Sequence, residues 1–159
     1  MHNPYILQVC GLKNTGKTTF MNEFTTYLSK KGYRVGTIKH DGHDFKTEQY
    51  TEDNFQHYHA GAIKSAVFSN NQYLMIQRET KTLEQFLEEF CDMDIILIEG
   101  CKNERYPKVE MIRKGISEVP VSNHVGRLAC IVDEVYDIKE RCFLRHDTDL
   151  FDKLIKLFV

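Results

Sequence analysis

Apolar residues along this chain fall into short runs separated by polar stretches, and the spacing within each run points to the element it builds. Residues 5–10 form a compact apolar run that stops at Gly11, as a buried central strand would. After Thr18 the period changes. Phe20, Met21, Phe24, Tyr27 and Leu28 recur at helical intervals, and Gly32 is the expected C-terminal cap. Residues 33–38 read as a second strand, so the chain opens with a strand, a loop, a helix and a strand, and the two strands are expected to be parallel with a right-handed crossover.

Residues 39–54 are polar, and a loop of that length in a compact domain usually carries function. A short helical turn is expected over residues 53–60, closed by Gly61. Residues 64–69 and 72–77 are strand-like, and the Ser69-Asn70-Asn71-Gln72 segment between them signals a hairpin, because Asn tolerates the positive φ of a tight turn. Thr82-Leu83-Glu84-Gln85 resembles a capping box, followed by a helix whose Leu83, Phe86, Leu87 and Phe90 line one stripe expected to face the core. The aliphatic run Ile95-Ile96-Leu97-Ile98, flanked by Asp94 and Glu99, belongs in the middle of a parallel sheet. Residues 108–112 and 127–132 read as further strands, and residues 115–126 as a loop. Leu150, Phe151, Leu154, Ile155 and Phe158 mark an amphipathic C-terminal helix capped by Thr148 or Asp149. The pattern as a whole is α/β, with a mostly parallel sheet and one antiparallel hairpin. With no internal repeat, low-complexity tract or linker, residues 1–159 are expected to form one domain.

Composition changes this picture little. A formal net charge of -2 supplies no field for nonspecific association, so neither a nucleic-acid nor a membrane partner is expected. The five cysteines are odd in number and never form a C-x-x-C pair. With no signal-peptide-like segment and no apolar stretch near 18 residues, a cytoplasmic location is expected. Cys10 and Cys130, inside apolar runs, are expected in the core.

The chemistry centres on Gly11-Leu12-Lys13-Asn14-Thr15-Gly16-Lys17-Thr18-Thr19, which fits the phosphate-binding P-loop pattern G-x-x-x-x-G-K-[ST] between a strand and a helix. Glycines let the backbone turn its N–H groups onto an anion, and the helix that follows adds its positive end. Gly11, Lys13, Asn14, Thr15, Gly16, Lys17, Thr18 and Thr19 are therefore the expected phosphate contacts, with the Thr18 hydroxyl a ligand to Mg²⁺. Phosphoryl chemistry also needs an acidic element on a neighbouring strand. Glu99 is the best candidate, and the Gly100 amide beside it is free of side-chain interference toward a terminal phosphate. Lys39-His40-Asp41-Gly42-His43 ends on the same edge if the strands are parallel, which makes Asp41 a candidate for Mg²⁺ or the attacking water and His40 a candidate phosphate contact. A plain surface loop and a transition-metal site using His40, Asp41, His43 and Asp44 are also open readings there.

The P-loop, then Thr37-Ile38-Lys39-His40-Asp41-Gly42-His43, Asp53 with His57 and Ala60-Gly61-Ala62, Asp94 through Lys102, and Pro107-Lys108-Val109-Glu110 together resemble the MobB family. The resemblance runs in order from about residue 5 to 113 and implies a three-layer α/β/α P-loop nucleotide-binding fold. It also implies a homodimer that binds GTP with Mg²⁺, hydrolyses it slowly at most, and assists the guanylyltransferase that attaches GMP to the molybdopterin cofactor. Gly11, Gly16, Lys17, Thr18 and Thr19 carry over as phosphate and Mg²⁺ contacts and Glu99 and Gly100 as the Walker B counterpart, while His40, Asp41 and His43 carry over only as members of a family motif near the site; Thr18, Glu99 and Asp41 are the expected metal-side residues. No N-K-x-D element reads guanine, which leaves Asp133, after its apolar strand, as the candidate acceptor for the base. A small-molecule or nucleoside kinase and a metal-delivery GTPase are the rival readings. The kinase would add an Arg-rich lid, whereas Arg105, Arg113, Arg127, Arg141 and Arg145 are scattered along the chain.

Overall fold

A computed structural model describes residues 3–42 and 53–159. By internal contacts the chain divides into two compact units, Met1–His40 with Phe86–Val159, and Asp41–Gln85.

In the first unit β1 (Tyr5–Cys10) leads through the P-loop into α1 (Lys17–Lys30) and then β2 (Val35–Lys39). The second unit contains α2 (Asp53–His59) and the strands β3 (Lys64–Phe68) and β4 (Tyr73–Gln77), and α3 (Leu83–Glu89) straddles the division. The first unit resumes with β5 (Ile95–Glu99), β6 (Lys108–Ile112), β7 (Arg127–Val132), β8 (Cys142–Leu144) and α4 (Leu150–Phe158).

The six strands of the first unit form one sheet in the order β2-β5-β1-β6-β7-β8, and every pairing is parallel. β1 and β2 are parallel as expected but are not neighbours: β5, fully buried along its length, lies between them. One face of the sheet meets α1 and α4, where Leu7, Val9, Leu97, Val109, Met111 and Ile131 pack with Phe20, Phe24, Leu28 and Leu154. On the opposite face Ile112, Cys130 and Val132 form a smaller cluster with Tyr136 and Ile138. Phe90 and Met93 also close over β2, where a Cβ at Gly36 would collide with the Phe90 ring. The stripe on α3 is therefore only half-buried, with none of its residues fully enclosed. Its capping box is present, with Thr82 N–H donating to Gln85 Oε1 and Gln85 N–H to Thr82 Oγ1.

Helix α1 ends in a Schellman turn: Gly32, at φ 90°, donates to Ser29 O, and Tyr33 donates to Leu28 O. Asp149 stands at the N-cap position of α4 but makes no capping bond; its carboxylate pairs with Lys153 at 2.8 Å. Cys10 and Cys130 are buried as expected, and burial pushes their thiols up to about 11 and about 12. Strand β6 turns two charged residues into the interior. Lys108 donates its ammonium to the carbonyls of Glu104 and Asn123, and Glu110 accepts from the N–H groups of Val121 and Ser122.

In the second unit β3 and β4 pair antiparallel across the expected hairpin, with Ser69 N–H donating to Gln72 O at 2.8 Å. Phe68 and Tyr73 face each other at its tip, 84% and 75% exposed.

Candidate functional site

Because all six strands of the first sheet are parallel, their carboxyl ends share one edge, and the residue after each strand emerges there. Those residues are Gly11, His40, Gly100, Arg113, Asp133 and Arg145. The P-loop occupies the middle of the edge, flanked by the loops after β5 and β6.

The loop curls tightly. Asn14 and Gly16 both take positive φ, 66° and 90°, and the buried Thr15 donates its hydroxyl to Leu12 O at 2.8 Å. Gly16 is favoured by its left-handed backbone, and the Arg145 guanidinium packs directly against it. Lys17 folds back into the loop and donates to Gly11 O at 3.0 Å and Leu12 O at 2.7 Å. Burial pulls this ammonium below its ordinary pKa, with the Glu99 carboxylate opposing. No side chain caps α1 and no acid stands in its first turn, so the N-terminal N–H groups of this helix have no carboxylate of their own.

Glu99, buried at the end of β5, faces this helix start. Both of its oxygens lie 3.2 Å from Thr18 Oγ1, and Lys39 Nζ approaches Oε1 at 3.5 Å. A hydroxyl and a carboxylate facing each other beside a P-loop are hard oxygen donors of the kind Mg²⁺ takes. Gly100 takes φ 97°, and a Cβ there would come within 3.0 Å of His40 O. Its amide is not turned to the loop as expected from the sequence; it donates to Val9 O at 3.1 Å because the parallel ladder continues one residue past β5. His40 is exposed, and its backbone N–H extends the same ladder to Glu99 O. Lys13 and Thr19 are exposed on the loop and on the first turn of α1.

Asp133 is placed at the same edge, but its carboxylate is engaged by the Lys114 amide at 3.0 and 3.2 Å and by the Tyr136 hydroxyl at 2.8 Å. Asp41 opens the second unit as an exposed residue, and His43 and Asp44 lie outside the described residues. Among the described residues no group of three or more His, Cys, Asp or Glu side chains could hold a metal ion.

Two site residues are invisible to sequence reasoning. Arg145 donates to Thr15 O, and Arg113 donates to Asn14 O at 3.3 Å, so two of the arginines that are scattered along the chain converge on the P-loop. The signal for Arg113 is its position directly after a parallel strand. Arg145 offers none, because β8 is three residues long and has no periodicity to read.

The profile of the family described as "Molybdopterin guanine dinucleotide synthesis protein B" (MobB) matches residues 6–134. A relative from Bacillus subtilis, named "Probable molybdopterin-guanine dinucleotide biosynthesis adapter protein", is 35% identical over 111 residues; the match covers 67% of this chain and 64% of that protein, less than two thirds of its length. The Escherichia coli adapter protein of the same name is 29% identical over 143 residues, covering 84% of this chain and 82% of its own. The crystal structure of Bacillus subtilis MobB superposes with a TM-score of 0.80 at 28% identity and covers 98% of both chains.

Proposed function

The chain belongs to the MobB family, and from that premise we propose that it is a GTP-binding adapter of molybdenum cofactor biosynthesis, assisting the guanylyltransferase that converts molybdopterin to its guanine dinucleotide form. The observation that carries this reading is the pairing of Lys17, held inside the loop, with Thr18 facing Glu99 across the sheet edge. The residues fit a Mg-nucleotide. The loop is a tight turn with positive φ at Asn14 and Gly16, and the helix behind it has no capping side chain. Thr18 and Glu99 would hold the metal, and Lys17 would bind the phosphates. When bound, Mg²⁺ supplies charge neutralisation at the terminal phosphates. Roles for His40 as a phosphate contact, Asp41 as a Mg²⁺ or water-positioning residue and Asp133 as an acceptor for the base are part of the proposal.

Calorimetric titration with GTP and ATP, each with and without Mg²⁺, tests this reading. GTP should bind tighter than ATP and gain from Mg²⁺. In Glu99→Gln that gain should shrink while nucleotide still binds, and any slow hydrolysis should fall. ATP bound as tightly as GTP would favour the kinase reading.

A homodimer is part of the proposal. Ile63, Phe68, Tyr73 and Met75 leave more than half of their surface exposed in the second unit, and apolar groups gathered on one hairpin mark an association surface. Light scattering should give twice the 18.7 kDa chain mass, and Phe68→Glu should shift it toward the monomer. A wild-type chain that scatters as a monomer at high concentration rejects this part. No helix of the described residues is long and apolar enough to cross a membrane; a cytoplasmic site of action is proposed with the pathway.

A further inference from the structure

Arg145 and Arg113, directly after strands β8 and β6, reach the P-loop, and both donate to its backbone, to the carbonyls of Thr15 and Asn14. A trans peptide is planar, with its C=O and the following N–H pointing in opposite directions. Holding Thr15 O therefore sets the direction of the Gly16 N–H, and holding Asn14 O does the same for the Thr15 N–H, which donates to Leu12 O at 3.4 Å. We propose that Arg145, with Arg113 assisting, is a positioning residue for the phosphate cradle, fixing the loop's peptide planes so that its amides are aligned before an anion arrives. The inference rests on the phosphate-site reading given above.

Three observations favour this role over a passive surface contact. The Arg145 guanidinium packs directly against Gly16, the residue whose peptide it braces. Arg145 Nε is buried without a partner, so the group is held where the loop is braced and not where its own donors are best satisfied. Finally, two guanidinium groups share one loop: burial and the charge of Arg113 both pull Arg145 below its ordinary pKa, offset in part by Asp133. Two like charges are an unfavourable arrangement that a bound polyphosphate would relieve.

The test uses Arg145→Ala, Arg145→Lys and Arg113→Ala in the full chain. Hydrogen exchange without nucleotide should show faster exchange in peptides covering residues 11–19 of Arg145→Ala, with β5 unchanged. Calorimetry with GTP, GDP and inorganic tripolyphosphate should show all three weakened by the same factor, about tenfold for Arg145→Ala, as expected for a lost charge-assisted bond. Arg113→Ala, whose contact is longer and exposed, should lose about two- to threefold. Arg145→Lys should recover part of the loss, since an ammonium can still donate to one carbonyl. Unchanged affinity and unchanged exchange overturn the proposal. So does a loss that spares GDP, which would mean direct contact with the terminal phosphate, and so does a loss that spares tripolyphosphate, which would mean contact with the nucleoside. If the wild type binds none of the three ligands, the phosphate-site reading fails, and the exchange measurement still decides whether Arg145 orders the loop.

Discussion

Lys17→Ala should lower the affinity for Mg-GTP by about a hundredfold or more, the loss expected when two or more charge-assisted hydrogen bonds to phosphate disappear together. Lys17 folds back into the loop, and burial there already disfavours its charged form, visible in its lowered pKa. In the free protein it bonds to Gly11 O and Leu12 O, so the substitution also removes the group that holds these two carbonyls. The helix start and the remaining amides persist, which is why a residual weak phosphate affinity is expected in place of a misfolded chain. Calorimetry on a variant with an unchanged circular dichroism spectrum checks this. If such a variant binds GTP as the wild type does, Gly11 to Thr19 is not the nucleotide site.

The largest effect on stability is expected for Phe24→Ala, a loss of about 3–5 kcal/mol, the range for truncating a buried aromatic side chain. Phe24 is fully buried, and its ring meets those of Phe20, Phe151, Tyr27 and Phe158 at centroid distances of 5.7, 5.0, 6.5 and 6.3 Å. It thereby joins α1 to α4, and the cavity left behind cannot collapse without moving one of these helices off the sheet. With a urea dependence of about 1–3 kcal/mol per M, the unfolding midpoint should fall by about 1–5 M. A shift below about 0.5 M, corresponding to 1.5 kcal/mol or less on the same scale, would mean that the two helices are not joined through this ring.

The elements that were legible in the sequence are those with a long or distinctive local pattern. α1 and α4 carry full apolar stripes, β5 is an unbroken aliphatic run, and Asn70-Asn71 marks the hairpin turn. β8 was not legible because Cys142-Phe143-Leu144 is too short to show a period and sits at the sheet edge. The stripe on α3 was legible but its burial was not, because burial depends on what lies opposite. Asp149 shows the same limit at a single residue: its position at the start of α4 could be read, but its choice of Lys153 over the backbone could not. In the site, the P-loop pattern is contiguous and Glu99 follows from its strand. The partner between them does not: only the strand order sets β5 and β6 on either side of β1, and so brings Glu99 to Thr18 and Arg113 to Asn14. Arg145 depends on the same long-range order and is separated from the loop it braces by 130 positions.

That strand order also has a consequence for the making of the protein. β1, the P-loop, α1 and β2 leave the ribosome before β5, but β1 pairs with β5 from Tyr5↔Ile95 and β2 pairs with β5 from Val35↔Ile95, so neither of these strands meets β5 until the chain has grown past Glu99. Pairings this distant in sequence form slowly, because the closure entropy of the intervening chain must be met first. A nascent chain arrested before β5 therefore displays the P-loop motif without the sheet that holds it.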